Sequence, residues 1–185
     1  NMLFERNMKM NSSNIYRTHL CGELRESHIG SKVRVAGWVE NIRDHGGVMF
    51  LDVRDQYGVV QVVVHDDNML TDVNKECTVT VSGEVVKRDE ETINPKIATG
   101  MVEITAETLT VLGKCHNVLP FEVATSTETK EDIRLKYRFL DLRRPDLQRN
   151  LMMRSKAATL TRQFLAEEGF LEICLLYTSP SPRDS

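Results

Sequence analysis

From Lys32 to Leu112 apolar and polar residues alternate with period two, the spacing of strands buried on one face. Val33 and Val35 alternate with Lys32 and Arg34, and the run continues through Trp38 to Arg43, with Gly37 expected to supply a bulge. Asp44-His45-Gly46-Gly47 has the glycines that a tight hairpin needs, so a second strand is predicted over Val48 to Arg54. Asp55-Gln56-Tyr57-Gly58 turns the chain again into a third strand, Val59 to His65. The alternation lapses between Asp66 and Glu76, where a short helix is expected. It resumes over Cys77 to Lys87 and Val102 to Leu112.

Five strands with a helix between the third and fourth is the order of an oligonucleotide/oligosaccharide-binding barrel. Parity then sorts the side chains. Met49, Leu51 and Val53 share one face, and Phe50, Asp52 and Arg54 share the other. In the third strand Val60, Val62 and Val64 oppose Val59, Gln61, Val63 and His65. If the all-apolar sets fill the barrel, Phe50 and Gln61 are displayed outside. An outward Phe either lies under a neighbouring loop or stacks on an unpaired base, with Gln and Arg nearby to read base edges or hold phosphate. The loop from Lys87 to Lys96 flanks that face, and within it Asn94 is the candidate for base contact.

Beyond Gly113 the pattern changes. Residues 113–129, with Asn117, Pro120 and a Thr/Ser run, read as a hinge. Acids at Glu131 and Asp132 precede the Ile133 to Leu140 run, which suits the positive end of a helix. Pro145 interrupts or restarts it, and a second helix is predicted over Leu147 to Glu168, ended by Gly169. Met153, Ala157, Leu160 and Phe164 line one side of that helix, a stripe expected to be core packing, with pairing to a partner subunit as the alternative.

Composition narrows the function classes. With 185 residues and 41% hydrophobic content the chain has enough for one or two soluble domains, and no apolar run approaches the roughly 20 residues of a membrane span. The first ten residues lack the continuous apolar stretch of a secretory signal, so a cytoplasmic protein is expected. Cys21, Cys77, Cys115 and Cys174 form no CxxC pair and are read as reduced structural thiols; the five histidines lack metal-ligand spacing, and no metal site is expected. His45, in its glycine-flanked turn, reads as a surface residue. The net charge of -3 conceals a segregation: residues 62–130 carry 6 basic and 12 acidic side chains, residues 131–162 carry 9 and 4. An acidic total therefore leaves a polyanion partner open.

Read in order, Arg17-Thr18-His19, then GWVENIRDHGGVMFLDVRDQYGVVQVV, then TINPK, LPF, IRLKYRFLDLRRPDLQRNL and FLAEEGFLEI strongly resemble the N-terminal part of a bacterial-type aspartyl-tRNA synthetase, over about Tyr16 to Ile173. The asparaginyl and lysyl enzymes share the barrel, and a fragment of one of those is an alternative. So is a stand-alone barrel that binds single-stranded nucleic acid. The resemblance implies that the barrel binds the tRNA anticodon. Phe50 would then match the stacking aromatic, Gln61 and Arg43 the base-reading polar residues, and Asn41 a neighbouring contact where many relatives carry a basic residue. His at position 45 tends to accompany enzymes accepting both aspartate and asparagine tRNAs. The full-length family enzyme is a homodimer that uses ATP and Mg²⁺ to form an aspartyl adenylate; no catalytic residue for that chemistry is expected in this chain. The implied organisation is a disordered N-terminal extension over 1–15, the barrel over 16–112, the hinge over 113–129 and the start of a class II catalytic domain over 130–173. Residues 174–185, rich in Ser and Pro, leave the family pattern.

Overall fold

The computed structural model describes residues 14–116 and 118–173. Most of the expected N-terminal extension, and all of the Ser/Pro tail, lie outside the described residues. The chain divides into two compact units between Val118 and Leu119.

The first unit is a closed five-stranded barrel in the order β1-β2-β3-β5-β4. Its strands are β1 (Lys32–His45), β2 (Val48–Asp55), β3 (Gly58–Val64), β4 (Thr78–Lys87) and β5 (Val102–Gly113). Closure comes from a short parallel pairing, Val62 beside Ile104 and Val63 beside Thr105. Between β3 and β4 the expected helix is a single 3-10 turn, Asp67–Leu70. The period-two apolar set is withdrawn from solvent as parity requires: Val33, Val35, Leu51, Val53, Val60, Val62, Val64, Val79, Val81 and Ile104 form one core.

The bulge in β1 falls elsewhere than expected. Val39 pairs with Val53 and Asn41 with Asp52, so Glu40 is the extra residue and Gly37 sits in regular register opposite Val79. Gly37 has a different use: a Cβ there would lie 2.3 Å from the Arg54 carbonyl oxygen, so only glycine permits the approach of β2. The extra residue re-aims the second half of β1. The β1–β2 hairpin then closes through Gly46 and Gly47, both in the left-handed region (φ 66° and 94°), a two-residue turn whose twist matches its strands.

One buried ion pair braces this region. Arg54, on the outer face of β2, donates from Nη2 to both carboxylate oxygens of Glu76 at 2.9 Å and from Nη1 to Glu40 at 3.4 Å. Arg54 and Glu76 are each less than one-tenth exposed as side chains. Glu76 takes a left-handed backbone (φ 62°), a conformation that costs a non-glycine residue and that its partners hold in place. Arg54 thus shares its face with Phe50 yet is locked away from any ligand.

In the second unit, α1 (Glu131–Lys136) and α2 (Arg138–Asp141) are separated at Tyr137, and α3 (Pro145–Glu167) starts on a proline, the residue pre-organised for a first helical position. Gly169 ends α3 in a left-handed conformation, with its N–H donated to Ala166 and that of Phe170 to Leu165. The fully buried carboxylate of Asp141 accepts the Ser126 hydroxyl at 3.0 Å and Arg138 at 2.5 Å, with Arg144 at 3.7 Å. The stripe on α3 is not core packing. Among the described residues none of α3 is buried, and Met153, Leu160 and Phe164 are all exposed. No helix among the described residues is long and apolar enough to cross a membrane.

Candidate nucleic-acid interface

Cross-strand register brings the candidate residues into one band. Arg43 on β1 is opposite Phe50 on β2, which is opposite Val63 on β3; one step along, Asn41 is opposite Asp52, which is opposite Gln61. Directly paired residues project from the same side of a sheet, so Asn41, Arg43, Phe50, Asp52 and Gln61 share the outer face across three strands. The Glu40 bulge puts Asn41 and Arg43 there; without the extra residue their parity would be reversed.

The polar members hold one another. Arg43 Nη2 donates to Asp52 Oδ1 at 2.7 Å and to Gln61 Oε1 at 3.2 Å, and Asn41 Nδ2 reaches Asp52 Oδ2 at 3.4 Å. Gln61 Nε2 donates to Glu103 Oε2 at 2.7 Å. Gln61 therefore lies on the outer face but is not displayed: it is only 6% exposed, covered by partners on β1 and β5. Phe50 is half-buried. Its ring meets the exposed His45 ring edge-to-face, centroids 5.6 Å apart, so one turn residue and one strand residue make a small aromatic step at the end of the band.

Two further residues belong to this surface and were not expected from the sequence. Glu103 alternates with the buried Val102 and Ile104, so parity alone marks it as outward; that β5 lies beside Gln61 depends on the parallel closure, which local periodicity does not carry. Arg88, almost fully buried, has Nε 3.8 Å from Glu103 Oε2 and donates to the carbonyls of Val102 and Thr92. Its Nη2 has no hydrogen-bond partner among the described residues. Burial pulls the Arg88 guanidinium below its ordinary range, and the carboxylates of Glu103 and Asp52 oppose that shift. Asn94 is placed differently. Its Oδ1 accepts the Lys96 N–H at 3.0 Å, and its main chain closes the loop onto Gly100 and Ile97, so it serves the turn and makes no hydrogen bond to the band.

Such a surface can stack a base on Phe50 and offer guanidinium, amide and carboxylate groups to base edges or phosphates, the equipment of single-strand recognition. Family models agree with the geometry. Residues 33–112 match the OB-fold nucleic acid binding domain of the tRNA anticodon-binding family, and residues 130–181 match the class II tRNA synthetases (D, K and N). The chain belongs to the class II tRNA synthetases of the D, K and N group. Among curated relatives of this synthetase chain, the aspartate–tRNA(Asp/Asn) ligase of Ehrlichia canis (strain Jake) is 44% identical over 175 residues, 91% of this chain and 30% of the relative. That of Caldanaerobacter subterraneus subsp. tengcongensis is 46% identical over 163 residues, 85% and 27%. The chain thus spans about 30% of the length of the curated relatives it matches. Among solved structures, asparaginyl-tRNA synthetase from Pyrococcus horikoshii bound to asparaginyl-adenylate aligns with a TM-score of 0.69 at 26% identity, over 87% of this chain and 36% of that one. Aspartyl tRNA synthetase from Entamoeba histolytica aligns with a TM-score of 0.75 at 22% identity, over 88% and 40%, a likeness of fold. The synthetase match runs past Ile173, into the stretch where the sequence pattern breaks.

Proposed function

We propose that this chain is the anticodon-binding and early catalytic-domain portion of an aspartate–tRNA ligase, and that the band from Asn41 to Gln61 reads the anticodon. The observation that carries the reading is the register-aligned set on the outer face: an aromatic ring next to an arginine and a glutamine whose polar atoms are already ordered. The names of the relatives support aspartate tRNA as the partner, with asparagine tRNA as a second substrate. His45 is the side chain proposed to bear on that choice, since it adjoins Phe50. Asn94 contributes by holding the loop after β4 and only its exposed edge is left for a base.

In the whole enzyme, ATP and Mg²⁺ would supply aspartate activation. Among the described residues no three His, Cys, Asp or Glu side chains are grouped to hold a metal ion, so the residues here do not fit the Mg²⁺. The role of this chain is to bind and orient tRNA. The bare apolar side of α3 is proposed to pair with a second copy, as homodimeric relatives of this class would require.

The test is binding of the 185-residue chain to an anticodon stem-loop. Phe50→Ala should weaken it by about 1 to 3 kcal/mol if the ring stacks on a base. Unchanged affinity would return Phe50 to a packing role. A general single-strand binder, in contrast, would bind equally well when the central anticodon base is replaced.

A further inference from the structure

We propose that Asp52 is a positioning residue for anticodon reading: its carboxylate orders Arg43, and through Arg43 the amide of Gln61, before nucleic acid arrives. This rests on the reading of the outer face as the anticodon surface. Asp52 stands at the centre of the band, with Asn41 across one strand boundary and Gln61 across the other. Its two oxygens are divided, Oδ1 accepting from Arg43 at 2.7 Å and Oδ2 from Asn41 at 3.4 Å. The Asp52 side chain is 17% exposed and that of Arg43 47%, so the guanidinium is the group offered to a ligand and the carboxylate lies beneath it.

A carboxylate at the middle of a surface that meets a polyanion lowers affinity by direct repulsion, so its presence calls for a compensating role. Stability does not supply one, because a half-exposed ion pair adds little to a fold. Pre-organisation does. The hydrogen bonds Arg43 makes among the described residues pass through Nη2, which leaves its Nε and Nη1 donors for a base or phosphate while the plane of the group is fixed. The same Nη2 engages Gln61 Oε1, and Glu103 holds the other end of that amide, so the orientation of Gln61 is set from both sides.

The experiment measures binding of the full chain to stem-loops carrying the aspartate anticodon or a changed central base. Asp52→Asn keeps the shape of the side chain and removes its charge. Ordering one long side chain beforehand is worth roughly 2- to 12-fold in affinity, and two side chains are held here, so an affinity loss of about tenfold is expected. Preference for the unchanged anticodon should fall with it, and Asp52→Asn should cost nothing further in an Arg43→Ala background. Affinity and preference within twofold of the unsubstituted chain, a gain in affinity, or full additivity with Arg43→Ala would each overturn the proposal while leaving anticodon reading intact. Absence of base preference in the unsubstituted chain would instead overturn the reading on which it rests. A measurement without substitution guards against misfolding of the variant: by ¹⁵N NMR the Arg43 guanidinium should rotate more slowly than that of exposed Arg149, and equal mobility would also overturn the proposal.

Discussion

In the barrel, Val35, Leu51, Val60, Val62, Val81 and Ile104 are withdrawn from solvent completely, whereas along the 23 residues of α3 no side chain is buried. Both segments are amphipathic, and they differ in where the complementary surface comes from. Each barrel strand finds its neighbours within the chain, in the closed order β1-β2-β3-β5-β4. A helix draws most of its stability from packing one face, and on α3 Leu151, Met153, Leu160 and Phe164 stay exposed among the described residues. The barrel is therefore a finished folding unit whose substitutions should register as stability. If α3 pairs with a second copy, as proposed, its substitutions should register as association.

The sharpest way to break this comparison is through ion pairs. Arg54→Ala would leave the buried Glu76 carboxylate without its two-point partner, in a residue already held in a costly backbone conformation. The expected loss is about 3 to 5 kcal/mol, read from the urea midpoint of the barrel. On the α3 side, Arg162 meets Glu172 at 3.0 Å with both side chains about two-thirds exposed, and Arg162→Ala should stay within about 0.5 kcal/mol. Similar losses from the two variants would refute the distinction.

A second probe uses packing alone. A Cβ on Gly83 would lie 2.1 Å from the Thr105 carbonyl oxygen, a backbone atom that cannot swing aside. Gly83→Ala should cost about 2 to 3 kcal/mol through strand displacement, again measured by denaturant unfolding. Wild-type stability would mean that β4 and β5 are looser than their register implies.

The pattern of the sequence reaches these features unevenly. Strand existence and face follow from alternation, since Leu51, Val53, Val60 and Val62 are apolar for a reason local to their own strands. The band from Phe50 to Asp52 follows from the same parity. What parity misses is which outward residues meet. Gln61 is buried because Arg43 and Glu103 converge on it from β1 and β5, and the β3–β5 pairing joins segments some forty residues apart with no local signature. The bulge lies at Glu40 and not at Gly37 for a related reason: glycine marks both bulges and close backbone approaches, and at Gly37 it is the approach of Arg54 that requires it. The α3 stripe has the spacing of a core face, yet Met153, Leu160 and Phe164 are exposed among the described residues, so periodicity marks an apolar side without saying what it meets.

A smaller effect comes from pH. Burial, and then the neighbouring charge of Asp55, push the Cys21 thiol well above its ordinary value. A raised folded-state value favours the protonated thiol in the native state. Its contribution is complete at neutral pH and declines once the unfolded chain begins to ionise, above roughly pH 8.5. The slope from this one group is at most about 1.4 kcal/mol per pH unit. Denaturation of the Cys21→Ala variant should show a flatter profile between neutral pH and pH 10, alongside a uniform loss from the small cavity. An unchanged alkaline slope would place the titrating group elsewhere.

The smallest expected change in the barrel belongs to the variant with the clearest effect on the helix. Phe164→Glu replaces an exposed ring at the C-terminal end of the stripe with a good helix former, so the helix loses little buried apolar surface among the described residues. Barrel unfolding should move by less than about 0.5 kcal/mol. Sedimentation, in contrast, should shift toward the monomer, because the substitution puts a charge into the face proposed to meet a second copy, where desolvating it has no compensating partner. If instead the barrel lost stability and the sedimentation profile stayed fixed, the apolar face of α3 would be serving this chain's own fold, and the contrast between a closed barrel and an open helix would fail.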